Sequence, residues 1–333
     1  MKKILAVVIS ALLGLSVLIG CSSDTPSGKV EELEGLKGRV VYSIGQGNVP
    51  DLVFRWLLKS AGVEYDFSDK AQDGKVSLAY VAEGAEFIGG LAAGKMNYGV
   101  ISEPAATQSL GKAEGAARML DIQTLYKNAA GSEKGYPQAA LVVKKTFLAE
   151  HPGYVAQFAA AFESGAKWAE SEPALALAAI KKAGSTTVPA LTAEIAKGCN
   201  LGFTRAADVK TDLLNFYAAL NEVKREGESG VAEMPENEFF AGQISGESET
   251  GVSAKVYVPD GAPAIGMAKL IADGYEGAEF HVVPPARIME NFVRNADIAV
   301  MPTNAAAIRY AADKSIIMLG VTNFGSLYLI GRE

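Results

Sequence analysis

The sequence contains few of the side chains that enzymes and metal sites most often use. Its 333 residues include two histidines, two cysteines and two tryptophans. The histidines and cysteines do not follow the spacing of a structural zinc site, so we expect no bound metal. No cofactor is expected either, because Gly-Gln-Gly at 45–47 lacks the third glycine of a dinucleotide-binding loop.

Basic residues are also scarce, with 31 Lys and Arg against 38 Asp and Glu and a net charge of −7. Proteins that bind nucleic acid need a basic surface, so nucleic acid is not an expected partner. Hydrophobic residues make up 49% of the chain, which excludes a disordered protein. At roughly 150 residues for each domain, this length predicts about two domains.

The first 20 residues are typical of a secretory leader, with two lysines before an apolar run that two serines interrupt. An uncleaved anchor is the alternative, because a spanning helix needs about 20 apolar residues. Cys21 follows Leu-Ile-Gly and precedes a polar stretch, and this resembles the lipobox of bacterial lipoproteins. We therefore expect a signal peptide over 1–20, a lipid on Cys21 and a tether over 21–35, which place a soluble body at the membrane surface.

The rest of the sequence contains one α/β pattern twice, in residues 38–109 and 255–312. Each copy runs strand, Gly/Pro turn, helix, strand, helix, strand, and then a helix start marked by proline. Such alternation predicts parallel sheets covered by helices. We therefore predict an α/β fold with two lobes, over 36–135 and 136–333.

The segment between the two copies has a different pattern. After a strand over 136–143, residues 145–226 follow a helical pattern, and the Glu-, Gly- and Ser-rich stretch that comes next is predicted to be loop, with a linker at about 241–253.

The turns that follow strands in the two copies are candidate ligand sites. Ligands of parallel α/β sheets bind beyond the carboxyl ends of strands, where helix N-termini offer N–H groups without partners. The alternative is that each is an ordinary turn. We predict that the turns hold a ligand together with Tyr136 and Gln138, which lie at an expected crossover between the lobes. The turn residues are Gln46, Gly47, Asn48, Ser102, Glu103, Gly261, Ala262, Thr303 and Asn304.

Motifs of catalysis are not found. The sequence has no Gly-x-Ser-x-Gly elbow, Cys–His pair or His-Glu-x-x-His motif. Glu103 has no partner acid near it in sequence, so a polar pocket wall or a charge at a helix N-terminus is favoured over a general base. His151 is expected to cap a helix, His281 to be structural and Cys199 to be a buried thiol. No catalytic residue is predicted.

Four segments resemble one protein family. They resemble periplasmic solute-binding proteins of ABC transporters, of the sulfonate, taurine, nitrate and thiamine-precursor type. The segments are Gly-Lys-Met-Asn-Tyr-Gly-Val-Ile-Ser-Glu-Pro-Ala-Ala at 94–106, Val-Pro-Asp-Gly-Ala-Pro at 258–263 through Met-Pro-Thr-Asn-Ala-Ala at 301–306, Asn-Phe-Gly-Ser-Leu-Tyr-Leu at 323–329, and Met-Pro-Glu-Asn-Glu-Phe-Phe at 234–240.

The resemblance implies a two-lobed fold of the type II periplasmic-binding-protein class, with a hinge and an interlobe cleft. It implies a monomer outside the cytoplasm, in the periplasm or at the cell surface, that captures a small polar solute by hinge closure and delivers it to a permease. The motifs do not specify the solute. An enzyme on the same scaffold, similar to pyrimidine-synthesising relatives, is one alternative. A sensory or adhesive surface lipoprotein is the other.

The order of the segments departs from the family. The Val-Pro-Asp-Gly lobe, which begins family members, follows the Pro-Glu-Asn-Glu-Phe-Phe segment, which ends them, and the two are joined through 241–253. The sequence therefore resembles a circularly permuted member, as nearby termini would allow. From this order we expect one covalent crossing between the lobes, near 136–143.

Overall fold

A computed structural model describes residues 29–228 and 230–332 of the chain. The expected signal peptide over 1–20, the expected lipid on Cys21 and most of the expected tether lie outside the described residues. Within the described ranges, no helix combines the length and the apolar character needed to cross a membrane.

Strands of the described residues belong to two sheets. In chain order they are β1 (Val40–Ile44), β2 (Tyr65–Phe67), β3 (Val76–Val81), β4 (Tyr98–Ser102), β5 (Ala117–Asp121), β6 (Ala139–Lys144), β7 (Leu201–Arg205), β8 (Ala254–Pro259), β9 (Ala278–Val283), β10 (Ile298–Pro302), β11 (Ile316–Asn323) and β12 (Leu327–Gly331).

Helices cover both sheets. They are α1 (Val49–Ser60), α2 (Gly84–Ala92), α3 (Ala105–Leu110), α4 (Ile122–Ala130), α5 (Lys145–Glu150), α6 (Pro152–Gly165), α7 (Trp168–Ser171), α8 (Pro173–Lys182), α9 (Ala193–Gly198), α10 (Lys210–Val223), α11 (Ala262–Asp273), α12 (Ile288–Arg294) and α13 (Thr303–Asp313). Short 3-10 helices occur at Val30–Leu36, Asn237–Phe239 and Pro285–Arg287.

The two sheets share an order of five strands, and each has one further strand, β2 beside β3 in the first and β7 beside β11 in the second. The first runs β2-β3-β1-β4-β12-β5 and the second runs β7-β11-β6-β10-β8-β9. In the first sheet β3, β1 and β4 are parallel, and β12 is antiparallel to both of its neighbours. In the second sheet β9, β8 and β10 are parallel, and β6 is antiparallel to both of its neighbours. The predicted repeat of two α/β lobes is thus confirmed, with one inserted antiparallel strand in each lobe.

The inserted strands carry the chain between the lobes twice. β6 follows α4 of the first lobe but lies in the second sheet, and β12 follows β11 of the second lobe but lies in the first sheet. The expectation of one covalent crossing is therefore wrong, because a second crossing runs through residues 324–326. Strand β12 likewise belongs to the first lobe and not to the second, since pairing with β4 and β5 decides sheet membership.

A further correction concerns the segment predicted to be helical over 145–226. It contains the strand β7, which pairs with the edge of β11 in antiparallel fashion. The hydrophobic pattern of these five residues is too short to distinguish a strand from the flanking helices. They form a strand because they pair with the edge of β11.

Helix α4 shows how local sequence sets an element beside the first crossing. The Asp121 carboxylate accepts hydrogen bonds from the backbone N–H groups of Gln123 (2.9 Å) and Thr124 (3.3 Å), which caps the first turn. Gly131 ends the helix in the left-handed conformation, with a φ of 64°. The chain then turns toward the second lobe.

Helix α10 packs against both lobes. The Phe216 ring centroid lies 6.0 Å from that of Tyr126 on α4 and 5.8 Å from that of Tyr136 on the first crossing. On the second lobe, the Tyr217 hydroxyl donates a hydrogen bond to the carbonyl of Thr303 (3.0 Å). Both aromatic side chains of α10 are fully buried, and each such side chain stabilises the fold by about 1.5–3 kcal/mol. The helix therefore holds the lobes together behind the crossings.

Candidate functional site

The four predicted turns follow equivalent strands. Gln46–Asn48 come after β1 and Ser102–Glu103 end β4 in the first lobe, while Gly261–Ala262 come after β8 and Thr303–Asn304 follow β10 in the second. In each sheet the two turns therefore follow two parallel neighbouring strands, β1 and β4 in the first and β8 and β10 in the second. The surroundings of each turn determine what it can bind.

Glu103 is buried where the first lobe meets the second. Its carboxylate accepts hydrogen bonds from the Thr107 amide (3.1 Å), the Thr107 hydroxyl (2.8 Å) and the guanidinium of Arg118. Burial raises the pKa of the Glu103 carboxyl, and the positive charge of Arg118 opposes that rise. A Cβ placed on Gly198 of the second lobe would lie 2.9 Å from Glu103 Oε1. The second lobe thus covers this residue, and its charge is paired within the protein.

Tyr136 and Gln138 tie the two crossings together. Gln138 Oε1 accepts hydrogen bonds from Asn323 Nδ2 (3.2 Å) and Ser326 Oγ (3.2 Å). The Tyr136 hydroxyl accepts one from the Ser326 amide (3.4 Å), and the Tyr136 side chain is fully buried. The backbone N–H of Glu103 donates to the Ser326 carbonyl (2.9 Å), which connects the end of β4 to the same segment. These residues form a polar hinge.

Thr303 joins the hinge from the second lobe. Its amide donates to the Gln138 carbonyl (3.1 Å) and its hydroxyl donates to the Pro137 carbonyl (2.7 Å). Thr303 and its neighbour Asn304 are both buried. The first residue of α13 therefore holds the first crossing in place.

The turn after β8 is closed within its own lobe. Gly261 has a φ of +104°, and its amide donates to Asp260 Oδ1 (2.9 Å). Asp260 also accepts hydrogen bonds from the Ser185 hydroxyl (2.6 Å) and the Thr186 and Thr187 amides (2.8 Å each). Burial raises the pKa of Asp260, but these hydrogen bonds outweigh it and leave the pKa below its ordinary value. The Asp260 carboxylate fixes the turn, and its oxygens are occupied by hydrogen bonds from within the same lobe.

The turn after β1 is partly covered by a distant segment. Gln46 and Asn48 are exposed, whereas Gly47 is buried beneath the side chain of Glu228. The Gly47 amide donates to Asp51 Oδ2 (2.8 Å). Among the described residues, no hydrogen bond joins this turn, or the turn at Gly261–Ala262, to the polar hinge. The structure thus brings Glu103, Tyr136, Gln138 and Thr303 together, with Ser102 paired to β12 beside them.

A groove of about 450 Å³ lies between the lobes beside the polar hinge, and the turn residues predicted from the sequence do not line it. One wall comes from the start of α4, another from β7, and the crossings lie between them. The groove residues are Asp121, Gln123, Thr124, Lys127, Lys134, Lys167, Asn200, Leu201, Gly202, Phe203, Thr204 and Phe324.

The groove combines cationic, polar and aromatic groups. The Lys134 ammonium donates to Thr204 Oγ1 (3.2 Å) and lies 5.7 Å from the centroid of the Phe324 ring. Gln123 Oε1 accepts from the Leu327 amide (2.9 Å), but its buried Nε2 has no partner among the described residues. The three lysines of the lining favour a small polar or anionic guest.

Neither histidine lines the groove. His151 Nδ1 lies 2.9 Å from Glu249 Oε2, and His281 stacks on Tyr257 with ring centroids 4.5 Å apart. Cys199 is a buried free thiol, as predicted, and burial raises its pKa well above the ordinary value. Across the two described ranges, no cluster of three or more His, Cys, Asp or Glu is placed to hold a metal ion.

A family model described as NMT1/THI5 like matches residues 16–176. The chain is similar to that family there. The match covers the first lobe, the first crossing and the start of the helical segment, and it confirms the resemblance that the sequence motifs carry over this range. No curated protein matches the chain in sequence.

Solved structures resemble the chain only distantly. A binding protein component of an ABC phosphonate transporter from Pseudomonas aeruginosa shows 10% identity and a TM-score of 0.36, covering 88% of this chain and 68% of that one. Full-length CbnR complexed with its target DNA shows 13% identity and a TM-score of 0.34, covering 88% and 62%. The alkanesulfonate-binding protein SsuA from Xanthomonas axonopodis pv. citri, bound to MOPS, shows 10% identity and a TM-score of 0.35, covering 90% and 66%.

The chain spans about two thirds of the length of these three proteins. Likeness at this level carries no information about function. The two-lobed α/β fold is established by the strand order of the two sheets. After each crossing between the lobes, the first strand, β6 or β12, pairs in the sheet of the lobe that the chain has entered.

Proposed function

We propose that the protein is an extracytoplasmic solute-binding protein that captures a small polar solute between its lobes without transforming it. The observation that carries this proposal is the groove of about 450 Å³ beside the two crossings. Two lobes joined by two crossings can close around a ligand by a hinge motion, and residues from both lobes then enclose it. The absence of histidine and cysteine from the lining favours binding over catalysis.

The groove lining supports a guest that carries negative charge or several acceptor oxygens. Lys127, Lys134 and Lys167 supply positive charge from α4, the first crossing and the segment before α7. Phe203 and Phe324 supply apolar walls. A small ligand with an anionic head and a short apolar part would use both kinds of surface.

Delivery to the permease of an ABC importer is the second part of the proposal, and it rests on the family resemblance. The third part is anchoring by a lipid on Cys21 after removal of residues 1–20. When both chains are expressed with the leader, the unaltered chain should incorporate labelled fatty acid and Cys21→Ala should not. Equal incorporation of the label into the two chains would contradict the lipid on Cys21.

Circular permutation of the family order is a fourth part. Helices α5 to α10 and the linker stand between β6 and β8, which both lie in the second sheet. The two sheets have one strand order whichever lobe comes first, so the same three-dimensional arrangement accommodates either chain order. The proposed division remains a first lobe that starts near residue 36 and a second that starts near residue 136.

Ligand-dependent thermal stability tests the proposed function. Binding to the folded state raises its stability by about 2.7 kcal/mol when the ligand is at 100 times its Kd. A panel of sulfonates, pyrimidines, nitrate and amino acids should therefore contain at least one compound that raises the Tm in a saturable way. If none of them raises it, and isothermal titration of the same compounds detects no heat, the solute-binding proposal is wrong.

A further inference from the structure

A buried ionic cluster lies beside the turn after β1 and shares no residue with the groove. The Arg55 side chain on α1 is fully buried, and its Nη2 lies 3.3 Å from Asp51 Oδ2 and 2.5 Å from Glu228 Oε2. Asp51 is also fully buried, and it accepts hydrogen bonds from the Gly47 amide (2.8 Å) and the Tyr80 hydroxyl (3.1 Å). The Asp51 carboxylate is thus occupied by three donors.

Glu228 comes from the irregular segment that follows α10. Its carboxylate also accepts hydrogen bonds from the Arg225 amide (2.8 Å) and from Arg225 Nε (2.8 Å). The Glu228 side chain is 9% exposed, and a Cβ on Gly47 would lie 2.6 Å from its Cγ. Glu228 therefore covers Gly47 and supplies the carboxylate that meets the buried Arg55.

The cluster has binding capacity that Glu228 does not use. Within the described residues, Arg55 Nε and Nη1 are buried without a hydrogen-bond partner. The guanidinium of Arg55 lies 5.5 Å and that of Arg225 lies 3.9 Å from the centroid of the Phe67 ring, whose side chain is 40% exposed. A carboxylate that replaced the Glu228 side chain would thus lie beside the unpaired Arg55 donors and the Phe67 ring.

Charge balance makes the occupant an anion. Arg55 and Arg225 carry two positive charges, and Asp51 and Glu228 carry two negative ones. Without Glu228 the cluster would hold one excess positive charge, carried by the partly exposed Arg225, and the buried Arg55 would keep only Asp51 as an ion-pair partner. Guanidinium groups pair with carboxylates through charge-assisted hydrogen bonds, and Glu228 Oε1 lies 2.8 Å from Arg225 Nε and 2.7 Å from Arg225 Nη2.

We propose that Arg55, Arg225 and the Gly47 turn form a binding site for a small carboxylate, and that Glu228 is its tethered occupant, which a free carboxylate must displace. The site does not depend on the solute groove, and either proposal can fail without the other. A tethered group acts at an effective concentration on the order of millimolar for a short flexible linker. A free carboxylate binds only when its concentration exceeds the effective concentration of Glu228, or when it makes additional contacts with Arg55 and Phe67.

Acetate binding to the full chain with Glu228→Ala tests the site. Acetate is compared with chloride at equal ionic strength, by Tm and by isothermal titration, in folded protein checked by circular dichroism. We expect acetate to bind this variant at least about tenfold more tightly than it binds the unaltered chain, because the tethered competitor is gone. The matched control is Glu222→Ala, which removes a carboxylate from a surface pair with Lys59 (3.0 Å) and should behave as the unaltered chain.

Two further measurements keep the test decisive if Glu228→Ala does not fold. Glu228→Gln retains the shape of the side chain without its charge and should show the same gain in acetate affinity. In the unaltered chain, acetate at several hundred millimolar should speed hydrogen exchange of the Arg225 amide several-fold over chloride, since that amide is released with Glu228. If the folded variants gain no affinity for acetate, or if neither variant folds and exchange at Arg225 is unchanged, the cluster is a structural ion pair and the proposal is overturned.

Discussion

Ser326 donates its hydroxyl to the side-chain oxygen of Gln138 (3.2 Å), so a hydrogen bond joins the two segments on which the chain passes between its lobes. The same Gln138 oxygen accepts from Asn323 Nδ2 (3.2 Å), and the Gln138 amide donates to the Asn323 carbonyl (3.1 Å). One side chain therefore holds the two crossings in register. Any hinge motion must carry this unit as one body or break it.

We predict that Gln138→Ala destabilises the protein by about 1–3 kcal/mol, because it leaves the Asn323 amide and the Ser326 hydroxyl without their acceptor. Urea denaturation followed by circular dichroism measures the change. Gln46→Ala is the matched control, since Gln46 is exposed and its removal should change stability by less than about 0.5 kcal/mol. Equal midpoints for the two variants would show that Gln138 does not hold the crossings.

Much of the fold follows from local patterns in the sequence. The alternation of β-branched runs with helical patterns predicts a strand over 76–81, which is β3, and helical spacing over 51–61 and 264–272 predicts most of α1 and α11. Helices α1 and α11 each bury one face, so their hydrophobic residues recur at helical spacing in the sequence. Pro50 early in α1 and the left-handed Gly274 after α11 also carry their signals in the residue type itself.

The crossings could not be predicted in the same way. Leu327–Gly331 has the composition of any buried strand, and only its pairing with β4 and β5 assigns it to the first sheet. The groove depends on those crossings, so its residues carried no local signal either. Asp121 was the one accessible clue, because a helix-capping side chain marks the end of β5 as a further strand-to-helix turn.

Filling the groove should abolish solute binding without unfolding the protein. Gly202 lines the groove, and a Cβ at this position would have no atom within 4 Å. We predict that Gly202→Leu leaves the Tm within a few degrees of the unaltered chain but lowers the affinity for any solute found by the thermal panel at least about tenfold, since each 1.4 kcal/mol of lost binding free energy is a factor of ten. Isothermal titration measures the affinity.

Gly89→Leu is the control for that variant. Gly89 on α2 also has open space around a Cβ, but it does not line the groove. Its substitution should leave the affinity unchanged. If Gly202→Leu binds the solute as tightly as Gly89→Leu does, the solute occupies another site.

The linker over 241–253 should be sensitive to a single methyl group on Gly153 of α6. A Cβ on Gly153 would lie 1.8 Å from the Glu247 carbonyl oxygen, and the Gly153 amide donates to Glu249 Oε1 (2.7 Å). We predict that Gly153→Ala displaces this segment and destabilises the protein by about 1–3 kcal/mol, as other overpacking substitutions do. Urea denaturation measures the loss of stability, and the rate of cleavage after Glu247 by a Glu-specific protease measures the displacement of the linker.

Gly111→Ala provides the comparison for Gly153→Ala, because a Cβ on Gly111 meets nothing within 4 Å and its φ is −83°. This variant should not destabilise the protein, since alanine reduces the freedom of the unfolded chain. Protease cleavage after Glu247 at the same rate in both variants would mean that Gly153 does not position the linker.

The pH dependence of stability should report the carboxylate that fixes the turn after β8. Hydrogen bonds from Ser185, Thr186 and Thr187 hold the pKa of Asp260 below its ordinary value even though burial raises it. A carboxyl whose pKa is lower in the folded state stabilises the fold above its unfolded pKa of about 3.9, and this stabilisation is lost as the pH falls through the lower folded pKa. Asp260→Asn should therefore cost about 1–3 kcal/mol at pH 7, and the cost should shrink below about pH 4.

Urea denaturation of Asp260→Asn and the unaltered chain between pH 7 and pH 3 measures this difference. Asp73→Asn serves as the control, because Asp73 lies exposed between β2 and β3 and its substitution should change stability by less than about 0.5 kcal/mol throughout. A difference between the Asp260 variant and the unaltered chain that stays constant to pH 3 would mean that the charge of Asp260 does not matter and that only its shape fixes the turn. If the stability difference from the unaltered chain narrows at low pH for Asp260→Asn and not for Asp73→Asn, the ionised Asp260 carboxylate and its hydrogen bonds supply the stabilisation.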